Sequence, residues 1–150
     1  MSAIVLAFTG IALMIGLSGI GSCYGVTISG KEAVRAMTIN SDGFGSYLIM
    51  SALPSTQGLY GFLGYFLMAE YLVPDISMFH AASIFAAGTA LGAISLWSAF
   101  RKGRVCASGI IGVAEGHDVF GRTVVLAVFA ELYPIVALAA TFLIAGSLGG

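Results

Sequence analysis

The chain has 150 residues, 59% of them hydrophobic and 9% charged, against roughly 25% charged in an ordinary soluble domain. With a mean hydropathy of +1.02, these figures exclude a water-soluble globule, a disordered chain, a nucleic-acid-binding arm and a disulfide scaffold. What remains is an all-α integral membrane protein, because at about 20 apolar residues per span the length holds four helices and short connections.

The first charge-free apolar run covers about 2–29. Its leading residues carry no positive charge, which predicts a retained helix and not a cleaved signal peptide. Gly16, Gly19, Gly21, Gly25 and Gly30 cluster there, with a GxxxG spacing from Gly21 to Gly25, and predict one face of close helix packing. Further runs cover about 44–69, 77–100 and 123–148. They are continuous rather than alternating, so helices and not barrel strands satisfy their backbone in lipid. Cys23 and Cys106 read as small packing residues.

Charge placement orients the bundle. Lys31 and Arg35 lie in or beside the first connection, and Arg101, Lys102, Arg104 and Arg122 in or beside the third. The second connection holds Glu70 and Asp75 but no basic residue. The excess of Lys and Arg predicts cytoplasmic connections one and three, with connection two and both termini outside.

The halves resemble each other. A displacement of 76 residues lays Phe44-Gly45 on Phe120-Gly121, Phe66-Leu67 on Phe142-Leu143 and Ala69 on Ala145. This reads as one membrane domain made of two hairpins, about 1–73 and 77–150, related by an axis along the membrane normal. Chance likeness between apolar helices is the alternative. The same displacement sets Ser55 opposite Glu131.

Glu131 is the single acid in the last run. It lies about nine residues, or roughly 13 Å, beyond Arg122 and therefore near mid-membrane. A carboxylate there costs about 2.5 kcal/mol or more, which makes it a functional candidate by default. A third connection centred on Gly116-His117 puts Lys102 at the same depth as Glu131, and a first connection near Asp42 puts Gln57 there too. Ser55, Thr56 and Gln57, with Tyr60 one turn on, can then meet Glu131. Pro54 and Pro134 deprive the carbonyls of Met50 and Ala130 of helical donors. Carboxylate, amide, hydroxyl and carbonyl oxygens together suit a small cation; for the prolines read alone, simple packing kinks are the alternative.

The stretch Leu53-Pro54-Ser55-Thr56-Gln57-Gly58-Leu59-Tyr60-Gly61-Phe62, with Ala130-Glu131-Leu132-Tyr133, closely resembles the membrane-rotor proteolipid, or K subunit, of V-type and A-type rotary ATPases. The resemblance covers essentially the whole chain. It implies that Glu131 carries the transported ion, a proton or sodium, and that no cofactor is tightly bound. In the sodium-binding members the Leu53 carbonyl, Thr56 hydroxyl and Gln57 amide oxygen complete the site and Tyr60 bonds the carboxylate. Those members have a glutamine where this chain has Lys102. Two placements are open to Lys102: a tethered counter-ion for Glu131, or a side chain that snorkels toward the ring interior or the cytoplasmic face with Arg101 and Arg104.

The resemblance further implies identical subunits in a ring turning against a stationary channel subunit. Asn40, Asp42, Glu115, His117 and Asp118 would face a central stalk, and the lipid would be that of a prokaryotic cytoplasmic membrane, with an endomembrane left open. ATP chemistry would belong to partner subunits, since no phosphate-binding loop is present. On this reading a lysine could not stand in for the ion during lipid transit without blocking the cycle. The rival reading is a small proton-coupled secondary transporter built on one essential glutamate. The single Trp97 lies away from Glu131 in sequence and offers it no aromatic substrate pocket. His80 and His117 read as surface or capping residues.

Overall fold

A computed structural model describes residues 2–149 as an all-helical bundle. Helix α1 spans Ala3–Ile39 and the first connection is a 3-10 turn, Ser41–Gly43. The second arm of the bundle is α2, Phe44–Ala52, and α3, Thr56–Met68, joined by a 3-10 turn at Leu53–Ser55. Helices α4, Met78–Ala114, and α5, Phe120–Leu148, complete the chain. Three of these helices, α1, α4 and α5, are each long and apolar enough to cross a membrane.

Two boundaries differ from the sequence reading. The apolar runs stop at 29 and 100, yet α1 and α4 each continue to 37 residues, about 55 Å at 1.5 Å per residue and well beyond the 30 Å hydrocarbon core. Charge ends a lipid-compatible run without ending a helix, and Lys, Glu and Arg are good helix formers. Lys31, Arg35, Arg101, Lys102 and Arg104 therefore sit on helices and not in connections. The run at 44–69, expected as one helix, breaks at Pro54, which has no N–H to offer the preceding turn.

The third connection falls where the sequence put it. The Gly116 N–H donates to the Val113 carbonyl and the His117 N–H to that of Gly112, while Gly116 has φ 88°. This is the paired hydrogen-bond pattern of a glycine-terminated helix, and the left-handed backbone at Gly116 explains the residue type. At the start of α4 the Ser77 hydroxyl accepts from the His80 N–H, a serine cap.

Helices α1 and α4 run parallel along a shared, glycine-paved seam. A Cβ on Gly103 would lie 2.5 Å from the Gly25 carbonyl oxygen, and one on Gly21 2.6 Å from the Leu96 Cα. The expected single glycine face is in fact divided. Gly21 and Gly25 face α4, with Pro54 also against Gly25, whereas Gly16, Gly19 and Gly30 meet nothing within 4 Å.

Two apolar clusters close the ends. Ala7, Met14, Met68, Ile76, Ile84 and Leu148 pack at the end shared by the second connection and the described chain ends. Tyr47, Met50, Cys106, Ile110 and Ala114 pack at the end shared by connections one and three. Cys23 is exposed, Cys106 is buried, and both are free thiols. Between the clusters lies a polar layer.

Candidate ion-binding site

The two prolines shape this layer from opposite sides. At the Pro54 break, the Ser22 hydroxyl of α1 accepts from the Gly58 N–H at 2.7 Å and donates to the Ser55 carbonyl at 3.2 Å. The Ser29 hydroxyl lies 3.0 Å from the Ser51 carbonyl. Backbone groups released by the break are thus met by serines of the neighbouring helix. In α5 the helix runs on through Pro134, and the Ala130 carbonyl accepts the Ser98 hydroxyl of α4 at 2.6 Å. The Ala130 carbonyl, expected to be free for an ion, is already engaged.

Glu131 lies on the buried stripe of α5, with Ala127, Pro134, Ala137 and Thr141, and its own exposure is 9%. Its two oxygens are held separately. The Tyr60 hydroxyl donates to Oε1 at 2.6 Å. The Gln57 Nε2 donates to Oε2 at 3.3 Å and also to the Ser98 hydroxyl at 3.2 Å. The Lys102 Nζ donates to the same Oε2, forming a buried ion pair, and to the Thr56 hydroxyl at 3.1 Å.

The Thr56 hydroxyl lies 3.1 Å from the Leu53 carbonyl and 3.2 Å from the Gln57 Oε1. Its single proton is shared between two acceptors. Leu53 enters the site through that carbonyl alone. The structure therefore gathers Glu131, Gln57, Tyr60, Thr56, Leu53 and Lys102 around one carboxylate. Ser55 stands apart: it is exposed and its hydroxyl donates to the Ala52 carbonyl. Lys102, at 2% exposure, does not snorkel with Arg101 and Arg104, which are exposed.

The sequence reading missed Ser98. A signal existed, because Ser22 and Ser98 differ by the same 76 residues as the other repeat matches, and each bonds a carbonyl beside a proline-disrupted turn. Among the described residues no cluster of His, Cys, Asp and Glu is arranged to hold a metal.

Comparison with known proteins agrees with this architecture. The profile of the ATP synthase C-subunit family matches the chain twice, at residues 9–68 and 85–144. Residue 9 answers to 85 and residue 68 to 144, again a displacement of 76. The chain belongs to the ATP synthase C-subunit family, as two tandem copies of its repeat.

Among relatives, A-type ATP synthase subunit K of Methanocaldococcus jannaschii is 34% identical over 135 residues, 90% of this chain and 59% of that protein. The chain thus spans less than two thirds of that relative's length. V-type sodium ATPase subunit K of Enterococcus hirae is 34% identical over 85% of this chain and 81% of its own length. The 16 kDa proteolipid of the V-type proton ATPase of Homo sapiens is 25% identical over 77% of this chain and 74% of its own length. The chain is a K-type proteolipid of the V/A-type rotary ATPases, a non-catalytic rotor component.

Proposed function

We propose that this protein is the ion-carrying subunit of the rotor ring, taking a proton or sodium across the membrane on Glu131 while partner subunits hydrolyse or make ATP. The observation that carries the reading is the Glu131 carboxylate, buried midway along a lipid-length helix and oriented by Tyr60 and Gln57 from α3. A carboxylate that travels through lipid must be neutralised by a proton or a liganded cation. Gln57, Thr56, the Leu53 carbonyl and Tyr60 shape the carboxylate's surroundings, and Lys102 is its tethered counter-ion. The relatives' names include both a sodium and a proton ATPase, so kinship leaves both ions in play.

In the assembly, identical copies stand side by side as single membrane domains with repeats of about 1–73 and 77–150. The ring turns against a stationary channel subunit, and central-stalk subunits dock on the connections holding Asn40, Asp42, Glu115, His117 and Asp118. Connections one and three face the cytoplasm of a prokaryotic cell, with the termini outside, because Lys31, Arg35, Arg104 and Arg122 lie toward that end and no basic residue lies toward the other. No tightly bound cofactor takes part.

The test is ATP-driven ion uptake by vesicles containing the intact complex, before and after carbodiimide modification. Uptake is expected to stop as Glu131 alone becomes labelled. Undiminished uptake with Glu131 fully labelled would overturn the proposal.

A further inference from the structure

The two ions left open by kinship make different demands on the polar layer. A desolvated metal cation needs several oxygens converging on one vacancy. The oxygens within reach here are the Glu131 carboxylate, the Thr56 hydroxyl, the Gln57 Oε1 and the Leu53 carbonyl. The Lys102 Nζ donates to the first two, Glu131 Oε2 and Thr56 Oγ1, and so stands in the space that they would share around an ion. The Thr56 proton is turned toward the other two, the Leu53 carbonyl at 3.1 Å and Gln57 Oε1 at 3.2 Å. A cation already occupies the site, and it is covalently part of the chain.

Charge leads to the same result. The ammonium and carboxylate together are neutral, and the pair is buried, with side-chain exposures of 2% and 11%. Adding sodium would leave one uncompensated positive charge among apolar helices, where an unpaired ion is strongly disfavoured.

We infer that Lys102 is the residue that determines which ion the site accepts: its ammonium fills the cation position between Glu131 and Thr56, so the site excludes sodium and serves a proton. The inference rests on the reading of Glu131 as the ion carrier. A proton needs no vacancy among the oxygens. Added to the anionic pair of amine and carboxylate, it gives a neutral pair in which the proton is shared between Lys102 Nζ and Glu131 Oε2, and the carboxylic acid form is the one that a carbodiimide labels. Removed, it leaves the anionic form, so one proton is loaded and released at each site. Blocking of the cycle, expected from the sequence for a lysine that replaces the ion, is avoided because the lysine shares the cargo.

The experiment compares the rate of carbodiimide labelling of Glu131 in purified full-length protein at one fixed pH, with sodium chloride or choline chloride. The native protein is expected to label at the same rate in both salts, and Lys102→Arg, whose guanidinium stays charged and keeps Glu131 ionised, to label more slowly but equally in both. In Lys102→Gln, sodium should slow labelling about tenfold once it exceeds its dissociation constant about tenfold. Lys102→Ala, which opens the same space without supplying an oxygen, gives a second opportunity should the glutamine variant not fold.

Sodium protection of the native protein would overturn the inference. So would a folded Lys102→Gln protein in which labelling ignores sodium or, where that variant does not fold, a Lys102→Ala protein that does the same, because the exclusion would then lie elsewhere. Sodium protection of the native protein leaves the role of Glu131 as carrier standing. Loss of that role appears instead as ATP-driven uptake that survives Glu131 modification.

Discussion

Lys102 and Glu131, 29 residues apart in sequence, meet as a buried ion pair between α4 and α5. Removing one partner strands the other. Lys102→Met is therefore expected to destabilise the detergent-solubilised subunit by about 3–5 kcal/mol, while Lys102→Met combined with Glu131→Gln should cost much less than the sum of the single changes. Unfolding titrations followed by circular dichroism measure this coupling. Additive single and double changes would show that the pair does not act as a unit.

Tyr60 holds the second carboxylate oxygen through a 2.6 Å hydrogen bond. Hydrogen bonds to charged groups contribute about 1.5–3 kcal/mol. Tyr60→Phe should release Oε1 and raise the rate of Glu131 labelling by carbodiimide about tenfold or more, with α-helical content unchanged. An unaltered rate would remove Tyr60 from the site.

Ser98 and Pro134 are coupled through one atom, the Ala130 carbonyl. Ser98→Ala leaves that carbonyl without a donor and is expected to cost about 1–3 kcal/mol. Pro134→Ala returns an N–H to the α5 ladder, so Ser98→Ala should cost measurably less in that background. Equal costs in the two backgrounds would mean that Ser98 stabilises the bundle by another route.

The glycines of α1 and α4 divide into two classes. Gly103→Ala places a methyl 2.5 Å from the Gly25 carbonyl oxygen, and overpacking of this kind costs about 1–3 kcal/mol. Gly16→Ala and Gly30→Ala meet nothing within 4 Å and should leave the subunit's unfolding midpoint unchanged or slightly raised, given alanine's better helix propensity. Equal loss of stability at Gly16 and Gly103 would contradict the seam between α1 and α4.

Much of this was legible in the sequence because lipid imposes few solutions. Uninterrupted apolar runs predicted the four helical arms, the second of which breaks at Pro54, and two turn positions, near Asp42 and at Gly116-His117, fixed the depths that bring Gln57 and Lys102 to Glu131. The ends of α1 and α4 were not legible, since Lys31, Arg35, Arg101 and Arg104 mark the limit of the apolar run and not of the helix. The destination of Lys102 was equally open, because depth places a residue at a level and not on a face. Only packing decides whether a long side chain at that level turns inward to a carboxylate or outward to water. Ser98 went unread for a related reason: a serine in a transmembrane helix is ordinary until the carbonyl it serves, freed by a proline on another helix, is known.

The central claim is that Glu131 carries the ion. Its most direct test is ATP-driven uptake, of protons and of sodium, by vesicles holding the assembled complex with native subunits or with Glu131→Gln. The account predicts that the variant assembles and takes up neither ion. Uptake of either ion at the native rate by the Glu131→Gln complex would contradict it.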